Sequence, residues 1–105
     1  MTDKIVIFIT CANKKEALRI THSLLKNRVA ACVNILDKIT SLFWWQGRID
    51  SANEVLLIVK SKKEKLPKII KLVKSLHSYK VPEIIALAII AGNKDYLRWI
   101  DGSCR

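Results

Sequence analysis

Two residues of this chain have the side-chain chemistry to bind a soft or borderline metal ion. Cys11 ends the apolar run that starts at Ile5, and His77 ends a segment with helical spacing. Copper and similar ions prefer thiolate and imidazole ligands, and Glu83 could add a carboxylate oxygen. A structural interpretation stays open: Cys11 as a small buried side chain, and His77 as a cation at a helix C-terminus.

The segment from His77 to Glu83 concentrates polar groups where folding does not require them. It contains Tyr79 and Pro82 and leads directly into seven apolar residues, Ile84–Ile90. A continuous apolar run of this length indicates a strand that is buried on both faces. We therefore expect the functional site near the start of this strand.

The hydrophobic pattern predicts four strands and three helices. Asn13 is the predicted N-cap of the first helix, with Glu16 three residues later. A polar interruption at Asp37-Lys38 indicates a bulge in the second strand, and residues 46–53 are predicted to turn the chain. The predicted strands are 5–11, 29–45, 54–60 and 83–90, and the predicted helices are 14–27, 62–77 and 95–100.

This order, β-α-β-β-α-β with a short C-terminal helix, predicts an α+β, ferredoxin-like sandwich formed by one domain over residues 1–105. Its helices would cover one face of the sheet. The other face should be polar in a monomer, yet the first, third and fourth strands are apolar throughout. Self-association is the simplest way to cover that face.

The composition of the chain indicates its cellular compartment and the kinds of partner it can bind. The net charge is +10, with eight lysines from Lys60 to Lys80, which we interpret mainly as a solvated helix face. Three cysteines without a C-x-x-C pair favour reduced thiols in the cytoplasm, with Cys32 in the core and Cys104 exposed. The run from Ile5 to Ile9 is too short for a secretion signal or a membrane span.

Enzymes and sequence-specific nucleic-acid binders are disfavoured. The chain has no G-x-S-x-G, Walker or H-E-x-x-H motif. An RNA-recognition module would stack bases on aromatic residues of its central strands, but only Phe8 is available on the first strand. We expect no specific nucleic-acid partner and no membrane partner.

Four segments carry a family resemblance, and they occur in the family's order over nearly the whole chain. With the segment from His77 to Trp99, the stretches Ala30–Ile35, Ser41–Gly47 and Glu54–Lys60 resemble the CutA family of divalent-cation-tolerance proteins. The resemblance implies a ferredoxin-like domain that forms a tight homotrimer and associates with copper or other divalent cations.

The resemblance also implies roles for individual residues. Cys11 and His77 match the cysteine and histidine tied to copper in the family, although Leu76 stands where some members have a second histidine. Phe43 stands where a tyrosine is expected. Six further residues match the lining of the clefts between subunits: Trp45, Lys60, Tyr79, Glu83, Tyr96 and Trp99.

Three functions remain open from the sequence. The first is a cytoplasmic trimer that binds copper or a related divalent cation weakly at Cys11, His77 and Glu83. The second is a trimeric small-molecule sensor like the P-II signalling proteins, with Lys60, Tyr79 and Glu83 holding an anionic ligand. The third is a structural scaffold without a physiological metal, whose partner is unknown.

Overall fold

The computed structural model describes residues 2–105. The elements are β1 (Lys4–Cys11), α1 (Lys14–Lys26), β2 (Cys32–Trp45), β3 (Arg48–Lys62), a 3₁₀ turn (Lys63–Lys65), α2 (Leu66–Leu76), β4 (Ile84–Ala88) and α3 (Lys94–Ser103). The four strands form one antiparallel sheet in the order β2-β3-β1-β4. This arrangement confirms the predicted α+β, ferredoxin-like plan.

The hydrophobic core lies between the two long helices and one face of the sheet. On β1, Ile7, Ile9 and Cys11 are fully buried on this face, because side chains alternate along a strand. Helix α1 contributes Ala17, Ile20 and Leu24 to the core, and α2 contributes Ile69 and Val73. Leu25, the neighbour of Leu24, is exposed, since one residue further along a helix rotates the side chain by about 100°.

Strands β2 and β3 form a long hairpin that extends past the end of β1. The turn is only Gln46-Gly47, both with positive φ, as in the type I′ turns that suit two-residue hairpins. The predicted turn over residues 46–53 is therefore wrong. Residues 48–53, which are mostly polar, pair with β2 in an exposed hairpin. The predicted bulge is confirmed by the register shift between Leu36 and Ile39.

Several boundaries and burials differ from the expectation. Strand β4 begins after Glu83, and β2 begins at Cys32. Cys104 is buried, not exposed, because α3 continues to Ser103 and brings the thiol to 3.9 Å from Ser61 Oγ. Cys32 is half-buried rather than in the core, since it pairs with Lys60 on the sheet face away from α1 and α2.

That second face of the sheet, which we call the open face, is apolar as predicted. Leu36 on β2 and Ile85 and Leu87 on β4 are 43%, 52% and 50% exposed. The hairpin also exposes large side chains, including Leu42 and Trp44. None of the helices over residues 2–105 is long and apolar enough to cross a membrane.

Candidate functional site

Cys11, Glu16 and His77 form a buried cluster. Their potential ligand atoms, a sulfur, a carboxylate oxygen and a ring nitrogen, all lie within 4.8 Å of one another. Cys11 comes from the end of β1, Glu16 from the first turn of α1 and His77 from the end of α2. The Asn13 side chain accepts from the Glu16 backbone N–H at 2.8 Å, which fixes the start of α1 and therefore the position of Glu16.

Backbone groups occupy both oxygens of Glu16. Oε2 accepts a hydrogen bond from the Ala12 N–H at 2.8 Å, and Oε1 accepts one from the Ser78 N–H at 2.7 Å. The carboxylate therefore connects the end of β1 to the segment that follows α2. Two charge-assisted hydrogen bonds in a buried place make this a strong structural connection.

Both ring nitrogens of His77 are also occupied. Nδ1 accepts a hydrogen bond from the Tyr79 N–H at 3.0 Å, so the neutral ring carries its proton on Nε2. Nε2 lies 2.7 Å from the Thr10 carbonyl oxygen, to which it donates. A metal ion at Nε2 would have to replace this hydrogen bond.

The surroundings of Cys11 favour the protonated thiol. Burial, together with the negative charges of Glu16 and Glu54, raises the pKa of the Cys11 thiol to about 12. Burial alone would raise the pKa of the Glu16 carboxyl as well, but the hydrogen bonds from Ala12 and Ser78 outweigh it, and that pKa is lowered. At neutral pH the cluster thus contains a thiol and a carboxylate.

Glu16 was missed as a cluster member, although the sequence carried a signal for its position. An acid three residues after an N-cap is typical of a capping box, which predicts only a local bond to the N-cap backbone. Here Glu16 accepts from Ala12 instead of Asn13, and from Ser78, which is 62 residues away. Glu83, the predicted third ligand, lies outside the cluster and is exposed.

Glu83 instead lines an open groove of about 890 Å³ between the hairpin and the loop before β4. Trp45 and Tyr79 line the same groove, together with the carboxylates of Asp50 and Glu54. The Tyr79 hydroxyl donates to Glu54 Oε2 at 2.9 Å. Burial and this carboxylate raise the pKa of Tyr79 to about 12, so the phenol keeps its proton at neutral pH.

The other three predicted cleft residues lie at the opposite end of the open face. Lys60 donates a hydrogen bond to Asn34 Oδ1, and the rings of Tyr96 and Trp99 on α3 lie 5.4 Å apart. Lys60 is six residues from Glu54 along β3, a distance of roughly 20 Å in a strand. Within one chain, the structure therefore divides the six cleft residues into two groups of three.

Comparison with known sequences gives a consistent result. The family model described as "CutA1 divalent ion tolerance protein" matches residues 5–103. The divalent-cation tolerance protein CutA of Archaeoglobus fulgidus is 46% identical over 95 residues, which cover 90% of this chain and 92% of that protein. The chloroplastic CutA 1 protein of Oryza sativa is 42% identical over 101 residues, which cover 96% of this chain.

Solved structures agree with the sequence relatives. A crystal structure of CutA1 from Oryza sativa superposes with a TM-score of 0.95 at 41% identity, covering 97% of this chain and 94% of that chain. The structure of the "periplasmic" CutA of Archaeoglobus fulgidus gives 0.94 at 43% identity, covering 97% and 99%. The chain spans 52–57% of the length of the curated rice, mouse and human relatives it matches.

Proposed function

This chain belongs to the CutA1 family of divalent ion tolerance proteins, and we propose that it is a homotrimeric module that binds copper, or a related divalent cation, at Cys11 and His77. Glu16 takes the place of Glu83 as the carboxylate ligand. The observation that carries this proposal is the cluster itself, in which thiol, imidazole and carboxylate atoms lie within 4.8 Å. This donor set suits copper better than calcium or magnesium.

The hydrogen bonds that the cluster already makes weaken metal binding, because a metal ion has to replace them. A metal at this cluster would displace the thiol proton of Cys11. It would also require the His77 ring proton to move from Nε2 to Nδ1, which breaks the hydrogen bonds to the Thr10 carbonyl and from the Tyr79 N–H. Three protein ligands are also fewer than the four of a closed structural site. A bound ion supplies positive charge beside Glu16. Since protons leave when the metal binds, affinity increases with pH.

Competitive titration tests this function. Copper(I) and copper(II) are titrated into the reduced protein with a competing chelator, for wild type, Cys11→Ala and the matched control Cys32→Ala. We expect one ion per subunit in wild type and in Cys32→Ala, with binding lost in Cys11→Ala. Equal affinity in wild type and Cys11→Ala would refute the proposal.

The homotrimer is part of the proposal and is supported by the apolar open face. Leu36, Ile85 and Leu87 are about half exposed, and the exposed hairpin offers apolar side chains that could cover them in a neighbouring subunit. Sedimentation equilibrium should give three times the 12.0 kDa chain mass. Leu87→Lys should dissociate the trimer, whereas Leu25→Lys on the outer face of α1 should not. A folded wild-type monomer at micromolar concentration would contradict this.

We further propose that the protein is cytoplasmic and is not an enzyme. All three cysteines are free thiols, which suits a reducing compartment. The Cys11 thiol is protonated at neutral pH, and His77 donates to a backbone carbonyl, so the pair lacks the activated nucleophile of a cysteine enzyme. Cell fractionation of the tagged protein tests the location.

The groove supports a second function, that of a trimeric small-molecule sensor similar to the P-II proteins. Its volume is sufficient for a small organic ligand. The sequence predicted an anionic ligand held by Lys60, but Lys60 bonds to Asn34 at the far end of the open face. The charges of the residues that line the groove therefore determine which class of ligand it can bind.

A further inference from the structure

We propose that the outer face of the two long helices binds the phosphate backbone of duplex DNA without reading its sequence. We call this surface the basic face, and six exposed cations define it: Lys15, Arg19 and Lys26 on α1, and Lys68, Lys71 and Lys74 on α2. The proposal is independent of metal binding and of the groove. It is supported by the distribution of charge, the arrangement of the six cations, the lack of aromatic side chains and the dimensions of the face.

Nearly half of the cationic side chains lie in one layer of the fold. Helix α1 and the segment 63–76, which contains the 3₁₀ turn and α2, carry nine of the 19 lysines and arginines but only two acids, Glu16 and Glu64. Glu16 is buried and bonded to backbone N–H groups, and Glu64 pairs with a lysine of β3 at 3.1 Å. Across the part of the chain that the structure describes, only Lys14 among the nine cations makes an ion pair, with Asp37 at 3.9 Å. The layer therefore has a strong positive potential that nearby anions leave largely uncompensated.

The six cations of the basic face form two rows that point away from the core. On α1 they stand at positions i, i+4 and i+11, and on α2 at i, i+3 and i+6, which places each set on one side of its helix. All six are exposed, whereas Ile20 on α1 and Ile69 on α2 are fully buried on the core side. Because both helices pack on the same face of the sheet and contact each other, the two rows lie side by side.

The stability of the helices does not require this arrangement. Cations three or four residues apart on a helix repel each other, and a cation near a helix N-terminus opposes the helix dipole. Lys15 lies in the first turn of α1, and Lys68 lies in the first turn of α2. A solvated helix typically alternates the sign of its charges along the exposed side. An anionic partner would relieve the repulsion, which distinguishes the basic face from an ordinary solvated surface.

The helical layer lacks the features that other polyanionic partners need. Neither 14–26 nor 63–76 contains Phe, Tyr or Trp, whereas proteins that bind single-stranded nucleic acid stack its bases on aromatic rings. Helices that bind a membrane surface insert their apolar side into the lipid, but α1 and α2 bury theirs in the core. A duplex needs only cations at its phosphates, and this contact carries no sequence information.

The dimensions of the basic face also suit a duplex. The α1 row spans eleven residues, which corresponds to roughly 17 Å of helix. The axes of packed helices lie roughly 8–10 Å apart, and the major groove of B-DNA is about 12 Å wide, so the two rows can contact phosphates on both sides of one groove. The helices lie on the opposite side of the sheet from the open face, so the basic face stays accessible in the proposed trimer.

Fluorescence anisotropy with a short labelled DNA duplex tests the proposal on the intact protein. Titrations at several salt concentrations give the affinity and its salt dependence, and we expect saturable binding to wild type. The triple variant Lys68→Gln/Lys71→Gln/Lys74→Gln should bind about tenfold or more weakly, and the slope of log K against log salt should become shallower by about three. The corresponding triple variant of the α1 row should lose a similar amount, because both rows contact the same duplex.

The matched control is Lys38→Gln/Arg48→Gln/Lys94→Gln, which removes the same charge from exposed residues outside the helical layer. It should lose far less affinity than either row variant, and Cys11→Ala should bind the duplex like wild type. Equal losses in the control and the row variants would overturn the proposal, since net charge and not the basic face would then attract the duplex. No saturable binding would also overturn it. So would equal or tighter binding of the single strand or of phosphatidylserine vesicles, which would assign the face to another partner.

Discussion

Two buried carboxylates, Glu16 and Glu54, lie on either side of Tyr79 and have different surroundings. Glu16 and Glu54 are both more than nine-tenths buried. Glu16 accepts two backbone hydrogen bonds, and each nitrogen of the neighbouring His77 ring also has a partner. Glu54 accepts one bond, from the Tyr79 hydroxyl, and faces an open groove. The Glu16 side thus contributes mainly to stability, whereas the Glu54 side can accept a ligand without losing backbone bonds.

The largest expected effect that tests this comparison is the loss of Glu16. Glu16→Ala leaves the Ala12 and Ser78 N–H groups without their partner, and we expect it to lower the free energy of unfolding by about 3 kcal/mol. Guanidinium unfolding at one fixed protein concentration measures this, because an oligomer's stability depends on concentration. Glu64→Ala is the control and should change stability by less than about 0.5 kcal/mol. Similar losses in both variants would show that the Glu16 bonds are not structurally important.

The sequence predicted the elements far better than the cluster. Short apolar runs and helical spacing are local properties, so β1, α1 and the ferredoxin-like order followed from them directly. The partnership between Glu16 and Ser78 joins residues 62 positions apart, and no local pattern encodes it. The turn after Trp45 was predicted too long for a related reason, since the mostly polar residues 48–53 resemble a loop until their pairing partners are known.

The predicted site residues likewise include some that the structure brings together and some that it keeps apart. Cys11 and His77, which the sequence paired by their ligand chemistry, lie together because β1 and α2 end at the same edge of the fold. Lys60 and Glu83 were expected to share a cleft, but in one chain they lie toward opposite ends of the open face. A single sequence cannot show whether a neighbouring subunit brings such residues together.

Removing the hydroxyl of Tyr79, the residue that connects the two sides, should have an intermediate effect on stability. Tyr79→Phe removes the one hydrogen bond to the buried Glu54 carboxylate but keeps the Tyr79 N–H bond to His77. We expect a loss of about 1–2 kcal/mol in unfolding free energy with unchanged copper affinity. Tyr96→Phe, whose side chain is partly exposed on α3, should lose less. A changed copper affinity in Tyr79→Phe would mean that the two sides are coupled and do not act separately.

The smallest expected effect is a loss of stability at alkaline pH that originates in Cys11. The thiol has a pKa of about 12 in the folded protein, compared with an ordinary value of 9.0. Above pH 9 the unfolded chain releases this proton while the folded chain keeps it. The unfolded state therefore becomes relatively more favourable, and stability should fall by about 1 kcal/mol between pH 9 and 10.

Urea unfolding at several pH values should show this slope in wild type and in Cys32→Ala, and a much shallower slope in Cys11→Ala. Tyr79, with an ordinary pKa of 10.0, contributes about a third as much as the thiol between pH 9 and 10, and this part remains in Cys11→Ala. Glu54→Gln should leave the slope between pH 9 and 10 unchanged but end the fall in stability at a lower pH, because the Glu54 charge is one of the causes of the raised thiol pKa. An identical slope in wild type and Cys11→Ala would mean that the buried thiol does not titrate as its surroundings require. The cost of forming a thiolate at the cluster, and with it the reason for weak copper binding, would then be smaller than the geometry implies.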